Sequence, residues 1–247
     1  MIARRREGRR LRGLLHAAAR LSAVDDLTGL WNRRYALPQL ALMAETAVAG
    51  GTGLAVMILD IDRFKSVNDR YGHHCGDAVL TGVARRLRDI LTTDAGQPPL
   101  IARIGGEEFL VALPCPTAQD ARHRAEALCD GIRNHAVQAG DLPPITVTIS
   151  VGLAMLAGSE AVTETLDRAD RALLAAKARG RNRVTLAQNV ADAPPVRPNP
   201  MSQDELLGLF SADTVGRDVV LEPATVADMM GRDIVAKPSL EVIYDEA

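Results

Sequence analysis

Leu54-Ala-Val-Met-Ile-Leu59, followed by Asp60-Ile61-Asp62, is the stretch that decides how this chain folds. An apolar run this short falls well below the ~20 residues of a membrane span. It reads as a strand covered on both faces. It ends at Asp60, so a buried strand delivers carboxylates to the edge of the core. Upstream, Gly50, Gly51 and Gly53 break a helix that Asn32 is placed to cap and that runs toward Val48. Pro38 is expected to kink that helix or end its first turn. Downstream, Asp77 precedes Val79, Leu80, Val83, Leu87, Ile90 and Leu91, a helical stripe. Ile101–Ile104 and Phe109–Leu113 read as two short strands around Gly105-Gly106-Glu107-Glu108, where paired glycines signal a turn. Thr117 to Ala139 reads as a helix with Ala121, Ala125, Leu128 and Ile132 inward. Val147, Ile149, Val151 and Leu153 alternate with Thr146, Thr148, Ser150 and Gly152, the period of a strand. Leu166 to Arg179 is a helix stopped by Gly180, and Val184 to Ala187 is a last strand. The order βαββαβαβ predicts an α+β domain, a mixed sheet covered by helices.

The chain has 247 residues, 47% hydrophobic and 24% charged, which excludes a wholly disordered protein. Cys75, Cys115 and Cys129 form no CxxC pair, which argues against a disulfide scaffold and a cysteine zinc site. The basic N-terminus is followed by no apolar h-region, so no secretory signal is read and the cytosol is the expected compartment. Charge is uneven. Residues 1–22 carry +6, residues 190–247 carry −7, and the total is −2. The lead mixes Arg4, Arg5, Arg9 and Arg12 with Leu11, Leu14, Leu15 and Leu21, as an amphipathic helix does. That helix is read as a solvated one, which a second copy in a dimer could support. A basic nucleic-acid binder led by residues 1–12 is the competing reading, and it predicts salt-sensitive DNA binding.

Two acidic sites share one sheet edge in this reading, Asp60-Ile61-Asp62 and Glu107-Glu108. Crowded carboxylates raise one another's pKa unless a cation lies among them. Oxygen-only donors point to Mg²⁺ or Mn²⁺ rather than zinc, with water and phosphate oxygens completing the shell. Bare backbone at Gly105 and Gly106 permits a phosphate to approach. Lys65, five residues past Asp60, and Lys177 and Arg181, at i, i+4 near a helix end, supply phosphate-binding charge. Read alone, Lys177 and Arg181 would be complements to a helix dipole. Asn68 and Asp77 can read the edge of a guanine, although singly they also suit a turn and a helix cap.

Four stretches carry a resemblance: Asp25-Asp-Leu-Thr-Gly-Leu-Trp-Asn-Arg-Arg34, Asp60-Ile-Asp-Arg-Phe-Lys-Ser-Val-Asn-Asp-Arg-Tyr-Gly-His73, Gly76-Asp77 and Arg103-Ile-Gly-Gly-Glu-Glu-Phe109. Thr148-Ile-Ser-Val-Gly152 and Lys177-Ala-Arg-Gly-Arg-Asn182 extend it. Together they resemble the GGDEF family of diguanylate cyclases in its GGEEF form, over about residues 22–188. The resemblance implies a ferredoxin-like, palm-type sheet. It implies condensation of two GTP into cyclic di-GMP, with two pyrophosphates released, at a homodimer interface. It implies two Mg²⁺ (or Mn²⁺) per site, held by Asp60, the Ile61 carbonyl, Glu107 and Glu108. Glu107 would deprotonate the attacking 3′-hydroxyl or help its metal do so. Asn68 and Asp77 would recognise guanine, with His73 nearby and Phe64 lining the pocket. Lys65, Lys177 and Arg181 would bind phosphates and offset charge in the transition state. A GGDEF-like domain that binds GTP or a partner without turnover is the alternative.

The family's usual product-inhibition pair, Arg-x-x-Asp, matches Gly96 and Pro99 here, so feedback at that site is expected to be weak or absent. Arg86-Leu-Arg-Asp89 has the spacing but lies too far upstream. The domain plan is a basic signalling helix at 1–21, the catalytic domain at 22–188, and a Pro-rich linker and acidic tail at 189–247. With about 22 residues ahead of the domain, no sensor is expected on that side. Within the tail, residues 202–210 (Ser-Gln-Asp-Glu-Leu-Leu-Gly-Leu-Phe) read either as a docking helix for a response regulator or other protein, or as part of a disordered acidic tail. No membrane span is expected.

Overall fold

The computed structural model describes residues 23–91, 98–140, 142–158 and 160–187. The expectations for residues 1–21, for the tail beyond 187 and its 202–210 segment, and for Gly96 lie outside these residues.

The elements run β1 (Trp31–Asn32), α1 (Arg33–Gly50), β2 (Leu54–Ile61), α2 (Phe64–Tyr71), α3 (His73–Leu91), β3 (Leu100–Arg103), β4 (Glu108–Pro114), α4 (Ala118–Arg133), β5 (Ile149–Met155), α5 (Val162–Ala178) and β6 (Arg183–Leu186). One six-stranded mixed sheet has the order β1-β3-β4-β2-β5-β6. β2 is antiparallel to both its neighbours, β4 and β5. The β3–β4 hairpin is antiparallel, while the outer pairs β1–β3 and β5–β6 are parallel. This is the mixed, helix-covered α+β sheet the sequence predicts.

All eight residues of β2 are buried, because the strand is central and has helices on both faces. Ala55, Met57, Leu59 and Ile61 join one cluster with Val79, Val83 and Leu87 of α3 and Ala125, Leu128 and Ile132 of α4. The alternate positions face the layer of α1 and α5, whose buried stripes are Ala36, Leu37, Leu40 and Ala44, and Leu166, Ala169 and Leu173. Each fully buried leucine contributes about 1.5–3 kcal/mol relative to exposure, so the sheet centre is the stable frame from which the strand ends project.

The local details correct several expectations. Asn32 does cap α1, its Oδ1 accepting the Tyr35 N–H at 3.1 Å. The helix nevertheless runs through Pro38 to Gly50, its buried face compensating for the missing hydrogen bond. β2 extends two residues beyond Leu59, carrying Asp60 and Ile61 inside the sheet. Residues 64–71, not anticipated as an element, form α2, and α3 begins at His73, so Asp77 lies inside a helix and is no cap. α4, capped by Thr117, stops at Arg133 because Val137 leaves to pair with Ile145 in an isolated bridge. β5 alternates in sequence, yet Ser150 and Gly152 are as buried as their apolar neighbours, because β5 lies between two strands with helices above and below. Arg86 and Arg88, on α3, donate to the Gly131 and Gly29 carbonyls and brace the fold. The three cysteines are buried and free. Among the described residues, no helix is long and apolar enough to cross a membrane.

Candidate active site

Strand register brings the acids together. Asp60, 5% exposed, pairs across the sheet with Glu108 of β4 and with Ser150 of β5. Glu107 immediately precedes β4, and its carbonyl accepts the Ile61 N–H at 3.2 Å. From the last turn of α5, Lys177 places Nζ 2.6 Å from Asp60 Oδ2. Burial pushes the Asp60 carboxyl above the ordinary carboxylate range, Lys177 opposes the rise, and Glu108 and Asp62 add to it. Glu107 is raised likewise, first by burial and then by Asp60 and Glu108, again against Lys177. The edge is therefore under-compensated negative charge, with one ammonium standing in for a cation.

That observation tests the fit to a metal. Among the described residues, no three His, Cys, Asp or Glu side chains already close into a cage. An open, oxygen-only set with a resident ammonium suits a hard cation that takes its remaining ligands from water and phosphate. The residues fit Mg²⁺ or Mn²⁺ in that open form.

The turn before Glu107 is held from both sides. The Ile104 and Gly105 N–H groups donate to the Glu108 carbonyl at 3.0 and 3.4 Å. Arg103 donates to the Gly106 carbonyl through Nη2 at 2.7 Å and ion-pairs with Asp25 at 3.1 Å. Asp25 in turn accepts the Thr28 N–H at 2.9 Å and its hydroxyl at 2.6 Å. Burial alone would raise the Asp25 pKa, but the Thr28 hydrogen bonds and Arg103 hold it below the usual value. A Cβ on Gly105 would stand 2.4 Å from Glu108 Oε2, so glycine there leaves room for that carboxylate to fold back against the turn. Asp25 and Arg103 each open one of the quoted motifs, but the sequence alone assigns them no role. An acid and a base 78 residues apart announce nothing until the fold pairs them.

The base-reading candidates lie on α2 and α3. Phe64 opens α2 and is buried in the core. One turn later, the Asn68 Oδ1 is buried with no hydrogen-bond partner among the described residues. A Cβ on Gly76 would stand 1.9 Å from that oxygen and 3.2 Å from Phe64 Cζ. Gly76 therefore lets Asn68 nest against α3, beside exposed Asp77. His73 and Lys65 are exposed on α3 and α2, and Arg181 is exposed in the turn after α5. The structure thus gathers Asp60, Glu107, Glu108 and Lys177, and separately Phe64, Asn68 and Gly76. Among the described residues, no hydrogen bond or ion pair joins the Lys65, His73 or Arg181 side chain to either group.

Asp62 adds its charge to Asp60 but has hydrogen-bond partners of its own. Its carboxylate accepts from the Thr148 and Ser150 hydroxyls and from the Asn182 N–H.

A family model described as diguanylate cyclase, GGDEF domain, matches residues 22–183. Response regulator PleD of Caulobacter vibrioides is 39% identical over 189 residues, covering 74% of this chain and 40% of PleD. Diguanylate cyclase DgcP of Pseudomonas aeruginosa is 38% identical over 164 residues, covering 66% of this chain and 24% of that protein. The chain spans less than half the length of these curated relatives. The crystal structure of the coiled coil and GGDEF domain of DgcB from Caulobacter crescentus, in complex with c-di-GMP, aligns with a TM-score of 0.68 at 33% identity. That alignment covers 73% of this chain and 94% of that one. With the family model spanning nearly all of the sheet and its helices, and with a Gly-Gly-Glu-Glu-Phe turn joining β3 to β4, this chain belongs to the GGDEF diguanylate cyclase family.

Proposed function

We propose that the chain condenses two GTP into cyclic di-GMP and two pyrophosphates. The observation that carries this is the buried Asp60, opposite Glu108 and paired to Lys177, beside a Gly105-Gly106 turn whose second glycine faces open space. Asp60, the Ile61 carbonyl, Glu107 and Glu108 would hold up to two Mg²⁺ (or Mn²⁺). When bound, such ions lower the pKa of a coordinated hydroxyl and neutralise charge on phosphate oxygens.

The chain's own residues do the rest. Asn68 and Asp77 orient guanine by its hydrogen-bonding edge, with Phe64 beneath and His73 at the rim. Lys177, displaced from Asp60 by the incoming nucleotide, binds the triphosphate together with Lys65 and Arg181. Glu107, already raised in pKa, accepts the proton of the 3′-hydroxyl. The 3′-oxygen forms a bond to the α-phosphorus of the second GTP, the bond from that phosphorus to the bridging oxygen breaks, and pyrophosphate leaves. The same exchange in the opposite direction closes the ring. Fixed charge and position supply most of the acceleration.

One domain holds one GTP, so the working unit is a two-fold pair of chains with the chemistry between them. The test is the full chain incubated with GTP and Mg²⁺ over a range of protein concentrations, with the product weighed by mass spectrometry. Cyclic di-GMP should accumulate, with a rate per chain that rises with concentration and stops when the metal is chelated. GTP bound without product would establish the silent alternative instead.

A further inference from the structure

We infer that Asp62 is a positioning residue for the phosphate-binding end of α5, an inference that rests on the function proposed above. The residue is 7% exposed. Oδ2 accepts from Thr148 Oγ1 at 2.6 Å and from the Asn182 N–H at 2.9 Å, and Oδ1 accepts from Ser150 Oγ at 2.6 Å. One carboxylate thereby ties together the end of β2, the start of β5 and the turn between α5 and β6, segments 86 to 120 residues apart in sequence.

The turn needs such a tie. Arg181 and Asn182 both have positive φ, 65° and 46°, a conformation that side chains other than glycine resist. Two such residues in succession persist only where surrounding bonds over-determine them. The Arg181 N–H closes the end of α5 on the Ala176 carbonyl at 3.0 Å, and Asp62 takes the next N–H along. Asp60 and Asp62 thus pin one helix end at two points, the first through the Lys177 side chain and the second through backbone. With the turn fixed, Arg181 leaves α5 in one direction, four residues after Lys177. Without Asp62, the Asn182 N–H loses its acceptor, and the left-handed pair is held only from its flanks, by the Arg181 N–H on Ala176 and the Arg183 side chain on the Arg181 carbonyl.

The test compares Asp62→Asn, Asp62→Ala, Arg181→Ala and the double variants in the full chain, with two readouts. The first is hydrogen–deuterium exchange of the Asn182 amide without ligand. It should speed up at least about tenfold in Asp62→Ala, as expected of a buried hydrogen bond lost from a local opening unit, and by less in Asp62→Asn, whose amide oxygen still accepts but without the carboxylate's charge. The second is the affinity for a non-reactive α,β-methylene GTP analogue with Mg²⁺. Each single variant should weaken binding by about tenfold, and each double by little more than one single, because Arg181 without its anchor has nothing left to lose. If Asp62→Ala does not fold, the isosteric Asp62→Asn carries the same cycle.

Unchanged Asn182 exchange, or doubles that weaken binding by the full product of the singles, would overturn the proposal. A wild-type chain that binds no analogue would overturn the proposed function and the phosphate role of Asp62 together. Binding that is intact but uncoupled removes the positioning role alone.

Discussion

Asp60 and Asn68 are eight residues apart in the chain, yet the fold fixes them by opposite means. Asp60 is set by the register of three strands, buried, and coupled to Glu107, Glu108 and Lys177. Asn68 is set by one short helix nested on a glycine, at a surface where Asp77 and His73 are exposed. The acidic edge inherits the stiffness of the sheet, and its charges feel one another at a half-buried strand end. The base-reading helices can be altered one residue at a time. Substitutions at the acidic edge should therefore act on turnover, and substitutions on α2 and α3 on affinity and base choice.

The largest effect is expected from Asp60→Asn or Glu107→Gln. Steady-state assays should show turnover falling by about 100-fold or more, the scale of losing a group that stabilises transition-state charge, with circular dichroism unchanged. A loss of only a few-fold would place the chemistry elsewhere. Lys177→Met should come next. It should lower kcat while tightening Mn²⁺ binding to the nucleotide-free chain, because the stand-in ammonium is gone. Weaker Mn²⁺ binding in that variant would mean that Lys177 supports the cation rather than substituting for it.

Gly76→Ala sharpens the other side of the comparison. Its methyl would displace Asn68 and should raise the KM for GTP by about tenfold, roughly one hydrogen bond's worth, with kcat little changed. A larger fall in kcat than rise in KM would erase the distinction between the two regions. The smallest effect belongs to Asp25→Asn. The Asp25 pKa is lowered in the folded state, so its stabilisation is present above the unfolded value and is lost as pH falls through the folded one. The variant should melt below wild type at neutral pH, with the gap closing as pH drops below about 4. A gap that does not change with pH would show that the Arg103–Asp25 pair contributes no charge stabilisation.

The same contrast governs what could be read from sequence. β2 announces itself because a strand covered on both faces must be continuously apolar, and α3 because its buried stripe has helical period. α2 does so only faintly, since its stripe is the three residues Phe64, Val67 and Tyr71, of which Phe64 alone is fully buried. α4 is over-extended in the sequence reading, which runs to Ala139, yet Val137 leaves to bridge Ile145 and both Val137 and Ala139 are buried outside the helix. Glu107, Glu108 and Asp60 could be grouped because each closes or opens a strand. Asp62 adds to the charge at Asp60, but its own carboxylate is taken up elsewhere. Spacing says that two acids share a strand end, but not that one of them meets Thr148, Ser150 and Asn182 from far along the chain.

The most direct test of the central claim, that the acids at the joint end of β2 and β4 hold the cations that carry GTP, is a Mn²⁺ titration followed by electron paramagnetic resonance. It is run with the α,β-methylene GTP analogue on wild type and on Asp60→Asn. The account predicts protein-bound Mn²⁺ in wild type with the analogue present, and a loss of most of it in the variant. Equal Mn²⁺ binding by the two proteins would contradict it.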